Sequence, residues 1–173
     1  MKKILLTLTA CALLILVSGT TSFAQIKIGH INTQEILQLM PERDTAAKQF
    51  DKFNAEITKN YESMTVAVNN LIEVYTRQKD SLSSFIQKAK EAEIIDMQGK
   101  IQNFKEVAQQ ELDKKQTELM TPIVEKLKKA IKEVAEANKF TYVIDVAGGS
   151  LVYFPEDEAL NLLPLVKAKL GLK

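Results

Sequence analysis

The chain has little of what catalytic and redox sites are built from. Of its 173 residues one is cysteine, one is histidine and none is tryptophan. The cysteine, Cys11, falls in a stretch that reads as an export signal. Lys2 and Lys3 form a basic start, Ile4 to Val17 is an apolar run too short to cross a bilayer comfortably, and Ser22-Phe23-Ala24 is a small-x-small cleavage site ahead of Gln25. Leu8-Thr9-Ala10-Cys11 faintly echoes a lipid-attachment site, but apolar sequence continues past Cys11. The alternative for residues 1–24 is an uncleaved membrane anchor. Cleavage after Ala24 would leave a chain without thiols, which excludes a disulfide, a thiolate nucleophile and a cysteine metal site. The same cleavage removes two lysines, so 21 basic residues face 22 acidic ones, a net charge of −1. A near-neutral chain has no global electrostatic reason to bind nucleic acid. No later stretch reaches the roughly 18 consecutive apolar residues of a membrane span.

Glycine and proline are also few, six and four, so long stretches run without a chain breaker. Residues 26–32 (IKIGHIN) begin with apolar–polar alternation, which predicts a short strand. Thr33 is placed to cap a short helix over Gln34–Met40, and Pro41 marks its end or a kink. From Glu42 to about Asn138 the period is helical almost throughout. Thr141–Val146 and Leu151–Phe154 are rich in β-formers and flank Gly148-Gly149, which predicts a hairpin ended by Pro155. Glu158–Leu170 predicts a closing amphipathic helix, with Pro164 as an internal kink.

The helical stretch carries a mirrored pattern. Phe53, Ile57, Tyr61, Met64, Val68 and Leu71 are spaced 4, 4, 3, 4, 3, and Ile94, Met97, Ile101, Phe104, Ala108 and Leu112 repeat that series in reverse. Pairing Leu71 with Ile94, and so on to Phe53 with Leu112, gives residue numbers that always add to 165. Two antiparallel helices folded about one turn produce this relation, because each apolar layer meets its partner at equal distance from the tip. The centre falls between Leu82 and Ser83, within Asp80–Ser84, where capping residues suit a turn. The alternative is a single unbroken helix in a long parallel coiled coil. Each arm would reach about 57 Å at 1.5 Å per residue. Residues 25–41 and 139–173 would then build a body, residues 42–138 the arm. So few strands make a marginal sheet, and association of several chains through the body is the natural remedy.

Candidate chemistry is sparse. His30 has no cysteine partner and no nearby second ligand, so a structural role is expected. Between Glu42 and Lys139 there are 17 acidic and 17 basic residues, scattered over polar helix faces. Gly148-Gly149 lacks the context of a phosphate loop. Asp145 is an acid in an apolar setting, and a strand-end hydrogen bond is its expected role. Lys126, Lys128, Lys129 and Lys132 cluster toward the end of a helix, where positive charge favours the dipole. An anion or lipid contact there stays open. One feature exceeds this bland account. From Asn60 to Gln78 only Glu62, Glu73 and Arg77 are charged. Val66, Val74 and Ile95 lie off the mirrored seam, and Leu82, Phe85 and Ile86 crowd the tip. Such residues at the end of an exposed arm call for a partner or for neighbouring arms.

The layout resembles the Skp/OmpH family of periplasmic chaperones. The matching features are the exported start, IKIGHINTQEILQLMP, the helical hairpin, PIVEKLKKAIKEVAEANKFTYVIDVAGGSLVYF and the closing EALNLLPLVKAKLG, together spanning residues 25–173. The resemblance implies a mainly α fold: a long antiparallel coiled-coil arm projecting from a small, short-stranded β body that forms a homotrimer. It implies a periplasmic protein that holds unfolded outer-membrane proteins without ATP, and it brings no enzyme site, cofactor or metal. Val66, Val74, Leu82, Phe85, Ile86 and Ile95 are the candidate client contacts. Ile26, Ile28, Tyr142, Ile144, Leu151 and Tyr153 are the candidate body seam between subunits. Gly99 and Pro122 are candidate hinge points, since Pro122 cannot donate to Glu118. A transient membrane-surface contact is a further expected partner; nucleic acid is not. The family's best-known members are markedly basic, and the near-neutral charge here departs from them. The rival reading is a structural or adaptor hairpin of the cell envelope, which would make specific contacts at its tip. An enzyme is disfavoured by the missing constellations, and a cytosolic prefoldin-like chaperone would lack the export signal.

Overall fold

The computed structural model describes residues 26–149, 151–155 and 157–172. The expected export signal and its cleavage site lie outside the described residues. The chain runs β1 (Ile28–Ile31), α1 (Thr33–Leu39), α2 (Pro41–Gln78), a 3-10 turn (Lys79–Ser81), α3 (Ser84–Ala137), β2 (Tyr142–Asp145), a second 3-10 turn (Glu158–Leu160) and α4 (Leu163–Leu170). The fold is therefore mainly helical, with a long antiparallel helical hairpin and a small two-stranded sheet.

Local chemistry sets these boundaries. Met40 takes an extended ψ of 122°, the conformation favoured for a residue before proline. Pro41 then opens α2, where its fixed φ suits the first turn and its missing N–H is not needed. At the far end Ser83 caps α3, its side chain accepting from the Ile86 amide at 3.4 Å. Gln87 Nε2 donates to the carbonyls of Lys79 (2.8 Å) and Leu82 (3.1 Å), tying the turn to the returning helix. The reversal thus lies between Gln78 and Ser84, around the predicted centre. α3 ends in a Schellman arrangement. Lys139 sits at φ 59°, and the Phe140 amide donates to the Ala135 carbonyl at 3.0 Å. Lys27 Nζ donates to the Asn138 carbonyl at 3.1 Å and rests 3.9 Å from the Phe140 ring centroid, placing a cation at the negative end of α3.

Three expectations are corrected. Leu151–Phe154 is not a strand, and no hairpin forms around Gly148-Gly149. Instead β2 pairs in parallel with β1, Ile28 opposite Tyr142 and Ile31 opposite Asp145. Parallel neighbours need a crossover, and the helical arm supplies it by carrying the chain out and back. Asp145 then ends the strand, its Oδ1 accepting from the Ala147 amide at 3.0 Å. Thr33 is not the cap of α1. Asn32 is, accepting from the Glu35 amide at 3.2 Å, while the Thr33 hydroxyl donates to Asp145 Oδ2 at 2.5 Å. Lastly, Glu158–Leu170 is not one kinked helix. Pro164 stands in the first turn of α4, where proline begins a helix rather than bending it.

The core joins Ile31, Ile36 and Met40 to Leu162 and Val166 of the C-terminal segment and to Ile123, Leu127, Ala130 and Val134 of α3. Those α3 residues are spaced 4, 3 and 4, one helix stripe, so the root of the arm is the floor of the body. The sheet covers this floor with one face, through Gly29, Ile31 and Val143. β1 is the central element: the Leu162 amide donates to the His30 carbonyl at 2.9 Å on its other edge. Gly29 lets that edge close. A Cβ there would stand 2.3 Å from Leu162 Cδ1 and 2.8 Å from the Phe140 ring. Gly29→Ala is expected to cost about 1–3 kcal/mol, the usual range for overpacking a tight core, measurable as a lowered urea midpoint.

Candidate client-binding arm and body face

The two helices of the arm meet along the mirrored seam. Val68 is buried, and the other eleven seam residues from Phe53 to Leu71 and from Ile94 to Leu112 are each partly buried. Polar contacts fix the register. The Tyr75 hydroxyl donates to Glu91 Oε1 at 2.5 Å, and Lys105 Nζ lies 5.0 Å from the Tyr61 ring centroid. Both pairs stand one residue from mirrored positions, whereas a heptad slip would displace them by seven. Lower down, Ile57 and Tyr61 share a groove with Phe104, Ala108 and Leu112, and Glu42 forms an ion pair with Lys126 at the arm root. Near the tip the seam gains Tyr75, a buried residue that the mirrored series did not include. Its four-residue step from Leu71 is the signal that could have found it.

With the seam closed, the off-seam residues are left over. Val66, Val74, Ile86 and Ile95 are exposed, and Phe85 is 77% exposed at the tip. Leu82 is half-buried, held within the turn. Val107 is exposed too. It sits a quarter turn from the α3 seam, as Val74 does from the α2 seam, and was readable by the same arithmetic. These side chains do not converge on one point. They are strung along both helices and gathered only around the tip. The charges beside them pair within one helix: Glu73 with Arg77, Lys90 with Glu93 (2.8 Å) and Asp96 with Lys100 (2.7 Å).

The hinge candidates lie on α3. Pro122 stands inside the helix, so Glu118 receives no i+4 amide there. The Thr121 hydroxyl donates to the Thr117 carbonyl at 2.7 Å and the Thr117 hydroxyl to the Asp113 carbonyl at 2.9 Å, a pattern that loosens the ladder of a helix. Gly99 faces open space, with no atom within 4 Å of a Cβ built on it.

On the body, the outward face of the sheet carries the cross-strand pairs Ile28 with Tyr142 and His30 with Ile144. Tyr142 is 62% exposed, and Ile26, Ile28 and Tyr153 are exposed as well, while Ile144 and Leu151 are half-buried. His30 stacks on Phe154, ring centroids 4.9 Å apart at 46°. Burial pushes the Asp145 carboxyl up. Hydrogen bonds from the Thr33 hydroxyl and from the Ala147 and Thr33 amides overcome that effect and hold it below the usual carboxylate range. Asp145 is thus a strand-end clasp. The lysine cluster is partly neutralised, Lys126 by Glu42 and Lys132 by Glu136 at 3.8 Å. Among the described residues no group of three or more histidine, cysteine, aspartate or glutamate side chains could hold a metal. No helix among them is long and apolar enough to cross a membrane.

Tyr75 offers a spectroscopic handle on the arm. Its hydrogen bond to Glu91, with lesser contributions from burial and from the Glu91 charge, pushes the phenol up to about 12. The folded value lies above the ordinary one near 10, so the contact stabilises the arm fully below about pH 10 and is lost as pH rises toward 12. Absorbance titration of the phenols should therefore show one late-titrating tyrosine, which disappears in Tyr75→Phe.

The sequence matches the family described as outer membrane protein (OmpH-like) over residues 27–170. No curated protein matches the chain. Among solved structures, the fold is similar to an OmpH-like protein of Caulobacter crescentus CB15, provisionally assigned as an outer membrane chaperone. The TM-score is 0.71 at 13% identity, covering 88% of each chain. At that identity the likeness speaks for the fold, and the sequence match over body and arm together speaks for descent: the chain belongs to the outer membrane protein (OmpH-like) family.

Proposed function

We propose that this chain is an ATP-independent holding chaperone of the periplasm that keeps unfolded outer-membrane proteins from aggregating. The observation that carries the reading is the row of exposed apolar residues on the arm: Val66, Val74, Phe85, Ile86 and Ile95, with Leu82 beside them. The seam has no use for them, and an arm this long has no body surface to hide them against. Each would contribute at most about 1–3 kcal/mol when covered. Many weak contacts suit a partner that has no fixed shape. They also let it leave without nucleotide hydrolysis, as contacts are exchanged one at a time. Holding an extended segment against the arm keeps its strand edges from pairing with other chains.

The working unit in this reading is residues 25–173, exported by the signal over 1–24 and assembled as a homotrimer. The supporting observation is the apolar outer sheet face, Ile28, Tyr142 and Ile144 with Ile26, Leu151 and Tyr153 nearby. A two-stranded sheet with that face in water is marginal alone, and a second and third copy would cover it. Pro122 and Gly99 serve as the soft points that let arms splay around clients of different size.

Replacing Val66, Val74, Phe85 and Ile95 together by Ser is expected to leave the helicity and the assembled mass unchanged. It should weaken suppression of the aggregation of an unfolded β-barrel client by about tenfold or more, equivalent to roughly 1.4 kcal/mol of binding. Unchanged suppression would place the holding surface elsewhere. Ile144→Asp would bury an unpaired charge between subunits at a cost of roughly 3 kcal/mol or more. Light scattering should then report a monomer, and a trimer of normal stability would show the seam to be misplaced.

A further inference from the structure

We propose that the distal arm selects its partner without regard to charge: it takes apolar extended segments whether the rest of the chain is acidic or basic, and salt does not loosen its grip. This rests on the holding-chaperone reading and specifies what that site recognises. From Asn60 to Lys105 the two helices and the turn between them carry six acidic and six basic residues, so the part that bears Val66, Val74, Phe85, Ile86 and Ile95 has no net charge. Neutrality alone would still allow separate patches of either sign. Pairing of neighbours breaks up half of these charges, and the other six, Glu62, Asp80 and Glu91 against Lys79, Lys88 and Lys105, again balance. Glu73 with Arg77, Lys90 with Glu93 and Asp96 with Lys100 are ion pairs within one turn. Of the unpaired charges, Lys79 adjoins Asp80 and Lys88 stands three residues from Glu91, whose carboxylate accepts the Tyr75 hydroxyl. Lys79 and Lys105 lie 5.9 and 5.0 Å from the ring centroids of Tyr75 and Tyr61.

Opposite charges within one turn act on a distant group as a small dipole, whose field fades within the roughly 8 Å over which physiological salt screens a charge. A client drifting toward this arm meets no net long-range attraction or repulsion. What remains at contact is apolar surface, which strong salt does not weaken. The exposed ion pairs themselves contribute little to stability. Their effect lies in what they cancel.

The test uses the full mature protein and one unfolded β-barrel client prepared in two versions, native and exhaustively succinylated, so that the second is strongly acidic. Affinity is read by fluorescence anisotropy of the labelled client from 20 to 500 mM NaCl. The inference expects the two versions to bind within about twofold of each other, and each affinity to change by less than about threefold over that range, against the steep salt dependence of steered complexes. The variant Glu73→Gln/Glu93→Gln/Asp96→Asn, which strips the partners from Arg77, Lys90 and Lys100, should introduce a preference for the succinylated client at low salt of about fivefold or more that vanishes at 500 mM. A tenfold preference of the unmodified protein for either version, or a comparable loss with salt, overturns the inference while leaving the chaperone reading intact. Failure to bind either version at any salt overturns both.

Discussion

One apolar seam between two antiparallel helices governs the molecule. Because its layers are mirrored about the turn, only one register buries all of them. That register fixes where the chain reverses, how long the arm is and which side chains remain outside. The last consequence matters most for function. A helix of this kind needs about a hundred degrees of apolar surface for its partner. Whatever apolar surface lies beyond that stripe is exposed by geometry, not by poor packing. The arm can therefore be well ordered and sticky at once, and its order does not depend on a client being present.

The seam also builds the body. By carrying the chain out and returning it to its starting point, the arm lets β2 enter beside β1 in the same direction, which a short connection cannot do. Clasps then hold the junction: Thr33 on Asp145, Lys27 on the end of α3, and Lys169 on Glu133 at 2.7 Å, linking α4 to α3. The four α3 residues from Ile123 to Val134 make arm and body one continuous piece of packing. A bend near Pro122, just above that floor, would move the arm without disturbing the core.

The arm was legible because helical periodicity is a local signal repeated many times, and an error at one position does not shift the rest. Its turn is legible from the symmetry of the seam alone, independently of the turn residues. The body was not. Tyr142–Asp145 and Leu151–Phe154 look like the two halves of a hairpin around Gly148-Gly149. What decides their fate is β1, more than a hundred residues earlier, whose edge accepts the Thr141 and Val146 amides through Lys27 and Ile31 at 2.7 and 2.9 Å. No window of sequence contains that competition. Thr33 misled for a related reason: it is a good capping residue, but Asn32 was one position better placed and Asp145 gave the threonine hydroxyl another partner. Nothing local to Gly29 marks it, since the demand for a missing Cβ comes from Leu162 and Phe140, far along the chain. The candidate client residues are what remains when the seam is subtracted from the apolar residues of the distal arm, and the same subtraction farther down α3 leaves Val107.

The central claim is that the surface left over by the seam is the surface that holds clients. Site-specific photo-crosslinking tests it most directly. A photoreactive amino acid is placed in turn at Val66, Val74, Phe85, Ile95 and Val107, and at Leu165 on the exposed side of α4, and an unfolded outer-membrane β-barrel protein is added. The account predicts strong adducts at the arm positions, each competed by excess unlabelled client, and little or none at Leu165. Adducts confined to the body, or equal at every position, would contradict it.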